Sequence, residues 1–206
     1  MKTFFQLIAD EAALSWITTQ ANKPEAEAQA IVQGWRQQAR QMGIPDSVCL
    51  HAMVQAGCTF KEDIPQLGPT WEDFQYLQNW DFPDPPTENS LVSWIPRPLL
   101  GSTSQDVNQQ KVLIQEFKAN TGLPPRYELS FGSVNHLAGM SLAHFQATDK
   151  DPFYGLVVRT DTFGSTGCRL RLGWLQGRLD CDWLWGDEGH PDMAVFVLGV
   201  IRSLGH

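Results

Sequence analysis

Apolar and polar positions along this chain follow two rhythms, and the change between them falls near residue 150. Up to there the spacing is mostly helical. Residues 3–20 carry Phe4, Leu7, Ile8, Leu14 and Ile17 and read as a first helix. Ala28, Ile31, Val32, Trp35, Ala39 and Met42 then recur at three- and four-residue intervals, which makes one apolar stripe. Asn22 followed by Glu25 suggests a capping box for that helix, with Pro24 in its first turn. Gly43 and Pro45 stop it. A shorter helix is expected over 46–56, ended by Gly57, and another over 71–80.

The texture changes over residues 81–106, which hold five prolines (Pro83, Pro85, Pro86, Pro96 and Pro98). Proline lacks a backbone donor, so an extended crossing segment is expected here rather than a central strand. A helix over 107–120 follows, closed by Gly122 and Pro124-Pro125, then a short strand over 126–131 and a helix over 133–147.

Beyond this the rhythm becomes alternating. Strands are expected over 155–160, 168–174 and 179–185, the last two joined by a tight turn at Gln176-Gly177. With those residues at the turn, Leu170 faces Trp183, Leu172 faces Cys181, Trp174 faces Leu179, and Arg171 meets Asp182 on the other face. Both strands then point apolar residues one way and charges the other. The final stretch, 192–204, is apolar nearly all round and reads as a buried helix, partly against another chain. The fold class is α+β: a helical N-terminal half over 1–80, the Pro-rich segment 81–106, and an α+β domain over 107–206 with an antiparallel sheet of three to four strands packed by helices.

The order helix–strand–strand–strand–helix over 133–204 resembles the double-stranded-RNA-binding domain. That resemblance is one of element order alone, and no family is recognised across the chain. The domain depends on basic residues where its last helix begins, and here that position reads Gly189-His190-Pro191-Asp192-Met193. Residues 132–206 carry six Lys+Arg against eight Asp+Glu. Charge generalises the point. The 206 residues carry a formal net charge of −8, whereas a nucleic-acid or anionic-membrane binder needs a basic footprint. A loose helix-turn-helix match over 39–53 fails similarly, because Val48, Cys49, Leu50, Met53 and Val54 offer no cation to a phosphate. At 42% hydrophobic and 18% charged, the composition is that of a folded chain with a sizeable core.

Other classes narrow similarly. The apolar run 3–9 makes a poor signal peptide, and no run reaches the roughly 18 residues of a membrane-spanning helix. Cys49, Cys58, Cys168 and Cys181 form no paired motif and read as reduced. A cytoplasmic protein is expected, with no cofactor implied.

Candidate chemistry concentrates in the C-terminal sheet. Arg159, Arg169 and Arg171 are expected on one sheet face, where guanidiniums can grip a phosphate or carboxylate bidentately. With Asp182 and a strand-end Trp185 they form the proposed contact surface for a protein partner or a second copy of the chain. The plainer reading is a solvated charged face with Arg171 and Asp182 as a cross-strand pair. Asp180 and Asp182 share a strand face, which suits acid–base or metal work. Asp187, Glu188, His190 and Asp192 offer oxygen and nitrogen donors to a divalent metal, though acidic residues before a helix serve its positive end equally well. His51, His136 and His144 do not converge as ligands, and the Gly-flanked run 163–167 reads as a hairpin loop. Eight tryptophans suit a core or an interface. The leading expectation is a non-catalytic interaction protein. The alternatives are a metal-assisted hydrolase or nuclease on the sheet carboxylates, and a local nucleic-acid contact through the sheet arginines.

Overall fold

The computed structural model describes residues 3–184 and 188–204. Its elements run β1 (Phe5–Ile8), α1 (Asp10–Thr19), α2 (Glu25–Gln41), β2 (His51–Val54), 3-10 segments at Ile64–Gln66 and Trp71–Asn79, β3 (Ser90–Trp94), α3 (Val107–Asn120), β4 (Leu129–Ser130), α4 (Val134–Thr148), β5 (Val157–Phe163), β6 (Arg169–Leu175), β7 (Arg178–Leu184), β8 (Met193–Ala194) and β9 (Leu198–Arg202). The fold is mixed α+β with two sheets. One has the order β1-β2-β3-β9-β4, the other β7-β6-β5-β8.

Alternation assigns each face of the five-stranded sheet to its own core. Phe5, Ala52, Val54, Val92, Trp94 and Leu198 face a cluster shared with α4 and the inner face of the second sheet. Ile8, Leu91 and Ile201 face the other cluster, built with α1, α2 and α3. The sheet is therefore covered on both sides, and its central strands lose the polar-out pattern that marks a half-exposed strand.

That double coverage explains where the helical expectations give way. Residues 5–8 form an antiparallel strand on β2, so the first helix starts only at Asp10. The 46–56 stretch supplies β2 instead of a helix. The last apolar stretch is strand as well: Val195 and Val197 enter one core while Phe196 and Leu198 enter the other, a period of two. The element order likened to the RNA-binding domain thus ends in a strand. The Pro-rich segment contains the central strand β3, bonded to β2 and β9 on its two sides. Its five prolines all fall outside 90–94, and a proline forbids ladder bonding only at its own nitrogen.

Local signals resolve unevenly. Asn22 does not cap α2, whose N-cap is Pro24 without a side-chain bond; Asn22 itself adopts φ +49°. The capping box sits on α3, where Asp106 accepts from the Asn108 and Gln109 amides. Residues 71–79 are 3-10 rather than α-helical, with Glu72, Asp73 and Phe74 at positive φ. The β6–β7 hairpin has the register read from the sequence: Leu170↔Trp183, Leu172↔Cys181, Trp174↔Leu179 and Arg171↔Asp182. Gln176 and Gly177 both take positive φ at its turn. Among the described residues no helix is long and apolar enough to cross a membrane.

Candidate functional site

The sheet arginines do share a face, but not the one expected of an open contact surface. β5 pairs with β6 so that Arg159 lies opposite Arg171, and a register shift then brings Phe163 opposite Arg169. Arg159 and Arg169 are buried, at 0% and 4% exposure. Arg159 Nη2 donates to the Glu188 carbonyl at 3.1 Å. Arg169 Nη1 donates to the Thr160 carbonyl at 2.7 Å, and its guanidinium lies 4.1 Å from the Phe163 ring centroid. Of the three, Arg171 keeps solvent access, and it spends its charge on Asp182 at 2.6 Å. The expected trio is thus two structural arginines and one surface ion pair. Arg159 and Arg169, being buried, do not form an open face with Arg171.

The carboxylates are occupied too. Asp180 Oδ1 accepts from the Tyr76 hydroxyl at 2.8 Å, which ties the Trp71–Asn79 segment to β7. Burial raises the Asp180 pKa, with the Tyr76 bond opposing it. His190 Nδ1 lies 3.8 Å from Asp192 Oδ2 and accepts from the Asp192 amide. Glu188 offers its backbone carbonyl to Arg159. Trp185 and Asp187 lie outside the described residues. Among the described residues no group of three His, Cys, Asp or Glu side chains could hold a metal ion.

A concavity lies elsewhere on the molecule. A groove of about 840 Å³ runs over the β9–β4 edge. One wall is the strap Pro83–Glu88; another is the segment from Arg126 into the start of α4. Lys23 and Glu27 at the start of α2, with Gln115 and Lys118 from the C-terminal half of α3, line it as well. Val200 and Ile201 are among the floor residues.

Hydrogen bonds fix the α4 end of this groove. The Ser133 hydroxyl caps the helix by accepting from the His136 amide, and lies 3.0 Å from His136 Nδ1. Thr162 Oγ1 accepts from the Val134 amide at 3.0 Å. Asp161 accepts from the Gly132 amide at 3.1 Å. Burial lowers the His136 pKa to about 4, with Arg202 adding to the shift, so the ring is neutral at physiological pH. Burial raises that of Asp161, against the Ser130 bond and Arg169.

A polar row crosses the sheet and ends on Tyr127 at the groove. Arg36 clamps Asp10 through Nε and Nη2 at 2.8 and 2.6 Å. His51 Nε2 lies 3.8 Å from the same carboxylate, and its Nδ1 lies 2.8 Å from Ser93 Oγ. The Tyr127 hydroxyl bonds Ser93 and accepts from Trp35 Nε1 at 3.1 Å. Burial pushes the Tyr127 pKa up to about 12. His51, Ser93 and Gly199 are register neighbours across β2, β3 and β9, so the row crosses the sheet. Tyr127 lies over Gly199, where any Cβ would come within 2.2 Å of its hydroxyl. Tyr127 also lines the groove. Sequence reasoning missed this groove, because its walls come from segments more than a hundred residues apart.

Comparison with known proteins gives no match: no family profile, no curated protein and no solved structure is similar to this chain.

Proposed function

We propose that this chain is a non-catalytic binding protein whose groove over the β9–β4 edge takes an extended polypeptide segment of a partner. The observation that carries the reading is the charge pattern of the groove. Among the described residues four cations line it: Lys23, Lys118, Arg126 and Arg202. Four carboxylates line it as well: Glu27, Glu88, Glu128 and Asp161. Lys23 pairs with Glu27 and Arg202 with Glu88, each at 2.7 Å, so a polyanion finds no net attraction there, whereas a polypeptide carries both signs. The volume lies within the range of about 300–1,000 Å³ usual for ligand sites. The capped α4 start and the row under Tyr127 support preorganisation, which lowers the entropy cost of binding.

The test is selection of displayed random peptides on the purified protein, followed by affinity measurement on substituted proteins. Enriched peptides should bind the Arg126→Glu and Glu128→Lys variants about tenfold more weakly. They should bind the Arg171→Glu variant as they bind the unsubstituted protein. Failure to enrich any peptide, or affinities untouched by both groove substitutions, would overturn the reading.

A further inference from the structure

The charges that line the groove are not equally engaged. Lys23 and Arg202 each lie 2.7 Å from a carboxylate, those of Glu27 and Glu88. Asp161 lies 3.7 Å from Arg169 and accepts from the Gly132 amide. Lys118, Arg126 and Glu128 stand apart from these pairs. Lys118 gives its ammonium to an uncharged partner, the Pro125 carbonyl, at 2.7 Å. An ammonium has three donors, so two remain. Arg126 is exposed, and among the described residues no ion pair or side-chain hydrogen bond engages its guanidinium.

One turn carries both cations. The Tyr127 amide donates to the Pro124 carbonyl at 2.9 Å, which puts Pro125 and Arg126 at the centre of a turn. Lys118 reaches that turn from the last turn of α3, and its bond to the Pro125 carbonyl holds the ammonium beside the Pro125–Arg126 peptide. On the other side Tyr127 is buried and bonded to Trp35. The turn is thus tied to α3 and to the core, and a turn fixed in advance needs no ordering when an occupant arrives. Two cations against Glu128 leave one positive charge in excess, which suits one carboxylate and not a polyanion.

We infer, resting on the peptide-binding reading, that the segment bound in the groove presents a carboxylate to Lys118 and Arg126, and that these two residues select for it. An acidic side chain and a free C-terminus both supply that group. A guanidinium holds a carboxylate through two parallel N–H bonds, and the remaining Lys118 donors reach the same oxygens as a point charge. A neutral amide in its place offers one acceptor oxygen and no charge. Lys23 and Arg202 can take the same role only by giving up Glu27 and Glu88.

The probe is a synthetic pool of random octapeptides with free C-termini, captured on the purified full chain and identified by mass spectrometry. Each captured sequence is remade with Asp and Glu replaced by Asn and Gln, and separately with an amidated C-terminus. At least one of these changes should weaken binding to the unsubstituted protein about tenfold, and which one does so identifies the source of the carboxylate. Arg126 is exposed, so Arg126→Gln should melt with the unsubstituted protein. On that variant the same peptide change should cost about twofold or less, and Lys118→Gln should blunt it similarly. Capture of no peptide would overturn the binding reading and the carboxylate requirement with it. Capture without a carboxylate requirement, or a requirement undiminished by Arg126→Gln, would leave the binding reading standing and overturn this inference alone.

Discussion

Two ion pairs show how far burial decides the worth of a single charge. Asp182 meets Arg171 at 2.6 Å with both side chains reaching solvent. Exposed pairs of this kind contribute about 0–1 kcal/mol, so Asp182→Asn should shift the urea midpoint little. Asp10 holds Arg36 at a similar distance, but the Arg36 side chain is only 10% exposed and His51 stands behind the carboxylate. Asp10→Asn leaves a buried guanidinium with one acceptor oxygen in place of two and no counter-charge, and should destabilise by roughly 1–3 kcal/mol. The same row makes Gly199 irreplaceable on steric grounds. Its missing Cβ is the space that the Tyr127 ring and hydroxyl occupy. Gly199→Ala should destabilise by about 1–3 kcal/mol, read as a lower urea midpoint at unchanged slope. An unchanged midpoint would mean that Tyr127 can leave the sheet at no cost.

At the level of elements, what could be read from the sequence depended on whether two pieces of pattern constrained one another. The β6–β7 hairpin was legible because a turn with positive φ and two alternating strands admit a single register. α3 and α4 were legible from their apolar spacing and their stops. β1, β2 and β9 were not, since a short apolar run buried on both faces looks the same to a helix and a strand. The one signal inside 193–202 was its β-branched content, Val195, Val197, Val200 and Ile201. β3 was lost by spreading the effect of proline over a whole window. Trp71–Asn79 shows a different failure, since local propensity says nothing of a left-handed turn. Glu72, Asp73 and Phe74 take φ of 47°, 49° and 56° in succession. An L-residue in that region costs about 1–2 kcal/mol, and Phe74 is held there by complete burial. Glu72 and Asp73 are exposed and have no such compensation. Asp73→Gly should therefore stabilise the protein by up to about 1 kcal/mol, raising Tm by about 2–4 °C. A lower Tm would show that the turn is not strained at that position.

For the molecule as a whole, neither the groove nor the polar row has a local signature. Lys23, Glu88, Arg126 and Arg202 become neighbours of one concavity only after both ends of the chain enter one sheet. His51 and His136 do not converge as ligands; His51 is fully buried and His136 half-buried, an environment that only the assembled layers create. That burial has a consequence for folding. Loss of hydration lowers both pKa values from 6.5 to about 4, with Arg36 opposing the charge on His51, Asp10 favouring it, and Arg202 opposing that on His136. Between those limits the unfolded chain binds a proton at each site that the folded chain refuses. Stability therefore rises with pH across the window and falls as pH is lowered from 6.5 towards 4, levelling off below. Each histidine can withdraw on the order of 3 kcal/mol over the full span. Asp161 and Asp180 act in the other sense, since their raised pKa values let the folded chain take up protons first in the carboxylate range. The histidine effect should dominate the upper part of the window, before those carboxylates titrate. Urea unfolding at a series of pH values should show a steady loss below 6.5 in the unsubstituted protein. His136→Asn cannot titrate, and its slope should be less steep, with His51 and His144, whose pKa values burial also lowers, still contributing. Parallel slopes for the two proteins would show that the His136 ring loses no hydration on folding.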